Sequence, residues 1–139
     1  MGTARAELGW LIVRVTFGVS LAFFHGYSKV FLGGASGLVA TLGNMGLPAP
    51  LFFAWCAALA EFAGGLLVAA GLATRYAALA VAFTMSVALY HHRDDPVRQW
   101  ELALLYLAPM VAAALIGGGR YSLDSWIRLR WPIERRGQG

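Results

Sequence analysis

Charged residues are scarce in this sequence, at 13% of its 139 positions. A soluble domain usually has about a quarter of its residues charged. Hydrophobic residues make up 59% instead, and the mean hydropathy is +0.63. The composition therefore argues against an ordinary soluble domain and predicts a protein embedded in the lipid bilayer. Its length favours a single domain, residues 1–139, with a few helices and no second soluble unit.

Cysteine occurs once, at Cys56, so the chain can form neither an internal disulfide nor a dithiol redox pair. Any redox chemistry would then need a bound cofactor or a quinone. Cys56 lies in an apolar run, where we expect it to be a small buried hydrophobic residue. His25, His91 and Glu101 are chemically able to bind zinc. Their spacing matches no metal motif, and we expect no metal.

Acidic residues are also few, with 7 Asp and Glu against 11 Lys and Arg and a net charge of +4. The N-terminus, the second loop and the C-terminal tail hold seven arginines: Arg5, Arg75, Arg120, Arg128, Arg130, Arg135 and Arg136. The opposite loops hold Lys29, Arg93 and Arg98. Because cytoplasmic loops are enriched in Lys and Arg, we predict both termini in the cytoplasm and a multi-pass protein of the inner (plasma) membrane. This distribution explains the basic balance, and we expect no nucleic-acid partner.

Four long apolar runs interrupt the charges, at residues 8–24, 51–70, 75–90 and 99–116. The second run has enough residues to rise about 30 Å as a helix, which matches the hydrocarbon core of a bilayer. The runs therefore predict an all-α fold, a four-helix transmembrane bundle.

Two shorter segments complete the predicted fold. In the first loop, Ser36 is a plausible N-cap and Gly43 a plausible residue after a helix end, so we predict one or two helical turns over the outer mouth of the bundle. We expect Gly71 to end the second span. The tail, residues 122–131, predicts an amphipathic helix in which Trp126 contacts lipid while Arg128 stays in water.

Two charged residues fall deep inside predicted spans. Arg14 shares one face of the first span with Gly18, His25 and Lys29, because these positions lie within roughly 60° of each other on an α-helix. Glu61 lies in the middle of the second span. Unpaired charges at such depth are unfavourable, so we predict an ion pair between Arg14 and Glu61. The pair either fixes helix packing or serves as a proton relay or anchor for a polar head group.

A second polar cluster is expected at the outer end, where His25, Lys29, His91, His92 and Glu101 fall near the ends of spans. A histidine beside a carboxylate suits proton transfer at a quinol hydroxyl, and His25 with Glu101 are the candidate catalytic pair. The alternative is a polar rim without chemistry.

The interior aromatics, Tyr106 among them, could surround a ring or an isoprenoid tail or simply pack the bundle. The candidate ligand-binding residues are thus Arg14, Glu61, Lys29 and Tyr106.

The ordered motifs of the chain resemble those of the DoxX family. They are Arg14-x3-Gly18-x6-His25-Gly26-x2-Lys29, Gly46-Leu-Pro48, Glu61-x2-Gly64-Gly65, Gly71-Leu-Ala-Thr-Arg75, Glu101-x-Ala-x2-Tyr106 and the run from Gly117 to Asp124. The resemblance covers nearly the whole chain. It implies a four-helix membrane bundle broadly similar to that of vitamin K epoxide reductase. It also implies a redox context, because namesake members of the family are similar to a subunit of a thiosulfate:quinone oxidoreductase and others join membrane complexes that handle thiol or oxidative stress. A dithiol mechanism does not fit, because Cys56 has no partner.

These observations lead to one principal functional hypothesis and two rivals. The first is an inner-membrane redox-associated subunit that binds a quinone-like apolar ligand among spans one, two and four. It would belong to a quinone-linked oxidoreductase, with a redox partner protein or a second copy of the chain. The second is a non-enzymatic assembly or scaffolding subunit that binds a partner protein. The third is a small transporter, which would need to dimerise.

Overall fold

The computed structural model describes residues 3–130, and within them every regular element is a helix. The six helices are α1 (Ala4–Phe31), α2 (Gly34–Asn44), α3 (Pro50–Ala70), α4 (Thr74–His91), α5 (Val97–Ile116) and α6 (Leu123–Arg130). The predicted all-α fold is confirmed. The predicted tail helix is present as α6, and Trp131, Arg135 and Arg136 lie outside the described residues.

Three of the long helices, α1, α3 and α5, are long and apolar enough to cross a membrane by length and composition. The fourth, α4, has 18 residues and begins with the polar pair Thr74 and Arg75. Its small residues Ala77, Ala78 and Ala82 are buried, which lets a neighbouring helix approach closely. The bundle core forms there, mainly between α4 and α5, and Leu21 of α1 and Val68 of α3 complete it. Which side of the membrane the termini face stays a prediction.

The helices α1 and α3 each widen into a π-helical turn, at Ala22–Gly26 and Ala60–Gly64. The two turns face each other, and Gly26 lies directly against the backbone of Phe62, where a Cβ would clash. A π turn inserts an extra residue into a helix and is often found at functional sites. These turns fix how α1 and α3 are aligned along their axes.

The first loop forms the predicted helix, but α2 is longer than one or two turns. Its N-cap is Gly33, which has φ of 77°, and Ser36 lies inside the first turn with its hydroxyl donating to the Gly33 carbonyl. The positive φ after the helix belongs to Gly46 at 80°, not to Gly43. Both predicted boundary residues are therefore wrong by three positions. At the start, Gly33 adopts the left-handed conformation that serine adopts only with strain. At the end, the helix continues through Gly43 to Asn44, and Gly46 is the glycine with positive φ.

Candidate functional site

An ion pair between Lys29 and Glu61 is the most buried charge pair in the described residues. The Lys29 Nζ lies 2.6 Å from both carboxylate oxygens of Glu61. The Glu61 side chain is 3% exposed and that of Lys29 is 25% exposed. Lys29 lies near the end of α1, whereas Glu61 lies in the π turn of α3. The pair therefore joins the two helices on the side where their π turns meet.

The predicted ion pair between Arg14 and Glu61 is wrong. Arg14 is 2% exposed, and its guanidinium donates to the carbonyl oxygens of Val68 at 2.6 Å, Ala69 at 2.7 Å and Tyr121 at 2.8 Å. The last carbonyls of a helix have no partner within it and carry partial negative charge. Arg14 thus caps the end of α3, roughly 10 Å along the axis from Glu61.

Beside the ion pair lies a cavity of about 380 Å³ between α2, α3 and α4. Its walls are mainly apolar, including Leu38, Leu42, Met45, Phe53, Phe83 and Val87. Its polar members are Lys29, Glu61, Thr41, Cys56, Thr84, His91 and His92. A few polar groups in an apolar wall, at a volume within the roughly 300–1,000 Å³ usual for ligand pockets, are typical of a small-molecule site.

The cavity lies elsewhere than the sequence predicted, among α2, α3 and α4 rather than among spans one, two and four. The space between α1 and α5 is filled by the rings of Phe17 and Tyr106, which meet edge to face with centroids 5.9 Å apart. Tyr106 is only 7% exposed. Neither ring lines the cavity.

His25 lies in the π turn of α1 and is half-buried. Its ring meets Tyr106 at a centroid distance of 5.2 Å. The π turn that holds His25 faces the π turn of α3 that holds Glu61. His25 and Tyr106 are therefore near the ion pair, although neither lines the cavity. An imidazole in this position can exchange a proton with a neighbouring carboxylate.

The structure thus divides the predicted site residues. Lys29 and Glu61 line the cavity, while His25 and Tyr106 contact each other outside it. Arg14 does not line the cavity. Glu101 lies exposed in the first turns of α5 and takes part in no ion pair within the described part of the chain.

Five polar cavity residues were not among the ligand-binding candidates of the sequence analysis: Thr41, Cys56, Thr84, His91 and His92. Thr84 and His91 occupy one face of α4 at a spacing of seven residues, so a signal for them was present in the sequence. Cys56 gave no such signal, and the structure corrects its assignment, because the residue is exposed at the cavity instead of buried. At the rim, His92 Nδ1 lies 2.6 Å from Asp95 Oδ2.

The opposite end of the bundle is held by Asp124, which caps the start of α4 from α6. Its carboxylate accepts from the backbone N–H of Ala73 at 2.8 Å, and from the N–H and hydroxyl of Thr74 at 3.0 and 2.9 Å. Partial burial alone would raise the pKa of Asp124, but these hydrogen bonds and nearby Arg128 outweigh it and lower the pKa. The Asp124 N–H donates in turn to the Gly71 carbonyl at 2.8 Å.

We call this region, with Arg14, Gly71, Tyr121 and Asp124, the closed end, and the region of Lys29, Glu61 and the cavity the open end. Gly71 ends α3 as predicted, with φ of 73°. A Cβ there would come within 2.6 Å of the Arg14 guanidinium. The closed end has no room for a ligand around Arg14.

Together, the long apolar helices and the cavity beside the buried ion pair define a helical membrane protein. The chain belongs to the DoxX family, whose sequence pattern matches residues 9–93. A curated relative from Bacillus subtilis (strain 168), named "Putative oxidoreductase CatD", is 32% identical over 123 residues, or 87% of this chain and 88% of that protein. No solved structure matches the chain significantly. Within residues 3–130, no group of three or more His, Cys, Asp or Glu side chains is placed to hold a metal ion.

Proposed function

We propose that this protein is the membrane subunit of a redox system and binds a quinone in the cavity between α2, α3 and α4. The observation that carries the proposal is the Lys29–Glu61 ion pair in the wall of a mainly apolar cavity. The similarity to a relative named as an oxidoreductase supports a redox association. The inner membrane as its location, with both termini in the cytoplasm, is part of the proposal.

The donor set of the cavity suits both redox states of a quinone. A quinone has an apolar ring and two carbonyl oxygens, and its reduced form carries hydroxyl groups there. The Lys29 ammonium has three N–H donors and can hydrogen-bond to a carbonyl oxygen, while the Glu61 carboxylate can accept a hydroxyl proton. The apolar walls, such as Leu42 and Phe83, would contact the ring.

Conversion of a quinone to a quinol takes up two electrons and two protons. The single cysteine of the chain, Cys56, cannot act as a dithiol donor. We therefore assign electron delivery to a partner oxidoreductase protein, and to this chain the binding of the ring and the handling of its protons.

His25 and Glu101 are the proposed proton carriers. His25 stands beside Tyr106 and within electrostatic range of Glu61, so it would exchange protons with that carboxylate. Glu101 lies about 7.5 Å along α5 from Tyr106 and is exposed. It would take protons from the aqueous side. Arg14, by contrast, is assigned a structural role, since backbone carbonyls already hold its guanidinium.

The test measures the binding of a short-chain ubiquinone to the purified protein in detergent micelles. The quenching of tryptophan fluorescence reports the binding. The decisive variant is Lys29→Met with Glu61→Leu, because it removes both charges of the pair together and leaves neither buried alone. We expect the dissociation constant to rise by at least about tenfold, the equivalent of ~1.4 kcal/mol. Arg98→Gln, on the exposed surface of α5, is the control and should bind as the wild type does.

Two outcomes would contradict the proposal. If the folded double variant binds the quinone as tightly as the wild type, the ion pair only fixes the helices. If the wild type binds no quinone and instead copurifies with one partner protein, the scaffolding function is favoured.

A further inference from the structure

A second cavity, of about 530 Å³, opens at the closed end between α4, α6 and the glycine turn after α5. Arg75 in the first turn of α4 and Arg128 on α6 form two of its walls. Gly117–Gly119 form another and bring the backbone close to the arginines, as a Cβ on Gly117 would lie 3.3 Å from Arg75 Nε. We call this cavity the arginine groove. It shares no residue with the quinone cavity.

The two arginines of the groove, Arg75 and Arg128, form no ion pair within the described residues. No carboxylate oxygen lies within 4.0 Å of either guanidinium in the part of the chain that the structure describes. Arg128 uses its Nε to donate to the Asp124 carbonyl at 3.2 Å, which leaves its two terminal nitrogens for another acceptor. Both side chains are exposed. A phosphate oxygen is the acceptor that a guanidinium binds most readily, with two parallel hydrogen bonds.

Asp124 also lines the groove, and its negative charge must be weighed against anion binding. Its carboxylate already accepts three hydrogen bonds from Ala73 and Thr74, and Arg14 acts on it electrostatically from the other side. Among residues 3–130, the charged groups toward this end of the bundle are Arg5, Arg14, Arg75, Arg120, Arg128 and Arg130 against Glu7 and Asp124. The balance around the groove is therefore strongly positive.

The outer rim of the groove is apolar. Tyr76 is 80% exposed, Ile116 is 56% exposed and Ile127 is 38% exposed, and all three line the groove. On α6, Trp126 and Leu129 are exposed as well. An occupant therefore meets cations on one side and uncovered apolar side chains on the other, which a free phosphate ion would not use.

We infer that the arginine groove binds an anionic phospholipid, whose phosphate lies between Arg75 and Arg128 while an acyl chain follows Tyr76 and Ile116. Basic residues on an amphipathic helix beside membrane spans are a common way to bind anionic head groups. Because α6 is hydrogen-bonded to the turn between α3 and α4 through Asp124, the bound lipid would also hold α6 at the membrane surface. This inference does not depend on the proposed quinone site.

The experiment is native mass spectrometry of the purified protein in detergent with added phosphatidylglycerol, compared with phosphatidylcholine of the same acyl chains. The variant is Arg75→Gln with Arg128→Gln, and the matched control is Arg93→Gln with Arg98→Gln at the other end of the bundle. Each basic residue that contacts an anionic head group contributes about fivefold in affinity. We therefore expect the loss of both arginines to weaken phosphatidylglycerol binding by roughly 10- to 30-fold. The control should change it by less than about threefold.

Each contrary result would overturn the inference. Equal loss in both double variants would mean that only the overall charge matters. Equal affinity for phosphatidylcholine would exclude an anionic head-group site, and full displacement by millimolar inorganic phosphate would show that the acyl chain contributes nothing.

Both arginines are exposed, so the fold of the double variant should persist. If the double variant does not fold, the single variants Arg75→Gln and Arg128→Gln decide, and no loss in either refutes the site.

Discussion

Two cations of the same helix, Arg14 and Lys29, have opposite surroundings. Arg14 is 2% exposed and bonds to three carbonyl oxygens, those of Val68, Ala69 and Tyr121. Lys29 is 25% exposed, bonds to the carboxylate of Glu61 and lines a cavity. Both look alike in the sequence, as a basic residue on the polar face of an apolar helix. Their acceptors distinguish them.

The difference has a physical basis. A guanidinium has five N–H donors in a fixed plane and stays charged, so it can satisfy several carbonyls at a helix end permanently. An ammonium is a compact charge on a flexible chain, and a carboxylate can gain or lose a proton. A carboxylate partner beside a cavity is suited to proton transfer with a ligand, whereas backbone carbonyl partners are suited to holding helices together.

Replacement of Arg14 should have the largest effect on stability. Arg14→Met leaves three carbonyl oxygens at the closed end without their donor, and we expect the free energy of unfolding to fall by about 3–5 kcal/mol. Unfolding by SDS in mixed micelles, monitored by circular dichroism, measures this change in the free energy of unfolding. Arg14→Lys should recover only part of it, because one ammonium cannot reach all three carbonyls. A loss below about 1 kcal/mol for Arg14→Met would show that the closed end does not depend on Arg14.

Removal of Lys29 should have a smaller effect, because the remaining carboxylate of Glu61 can take up a proton. We expect Lys29→Met to lower the free energy of unfolding by about 2–3 kcal/mol, and Glu61→Leu added to it to restore most of that loss. The same mixed-micelle unfolding measures both variants. If the double variant is no more stable than Lys29→Met, the two side chains are not coupled and the contrast with Arg14 fails.

The sequence predicted the helices well because local signals define them. Apolar runs marked the four long helices to within a few residues at most ends, and Gly71 ended α3 as predicted, with the positive φ that glycine adopts readily. The prediction of a polar face on α1 was also correct in part, because Arg14 and Lys29 both bond to other parts of the protein. These features depend on residues close together in the chain.

The partner of each charge could not be predicted, because it depends on how far α1 is shifted along α3. That shift is set by close backbone contacts, such as Gly18 against Gly65, where a Cβ would come within 2.6 Å of a carbonyl oxygen. The π turns at Ala22–Gly26 and Ala60–Gly64 change the register again, and no residue pattern marked them. Arg14 bonds to Val68, seven residues from Glu61, so α1 would have to shift by about two turns, or roughly 10 Å, to bring Arg14 level with Glu61.

The smallest predicted effect concerns Asp124, the carboxylate that joins α6 to the closed end. Asp124→Ala removes the cap of α4 and should lower the free energy of unfolding by about 1 kcal/mol. Asp124→Asn retains an acceptor for the cap but no charge, so its difference from the wild type isolates the charge. Hydrogen bonds from Thr74 and Ala73 lower the pKa of Asp124 in the folded protein. The charge therefore stabilises the fold above the ordinary Asp pKa of about 3.9, and this contribution is lost as the pH falls through the lower folded value.

Unfolding of the wild type and Asp124→Asn, measured side by side from neutral pH downward, tests this sign. The two stability curves should be separated at neutral pH and converge below the ordinary Asp pKa, because the protonated carboxyl group then resembles the amide. A gap that instead widens as the pH falls would mean that the folded protein binds the Asp124 proton more tightly than the unfolded chain does. In that case burial, and not the hydrogen bonds from the start of α4, would determine the direction of the pKa shift of Asp124. The closed end would then be held mainly by Arg14.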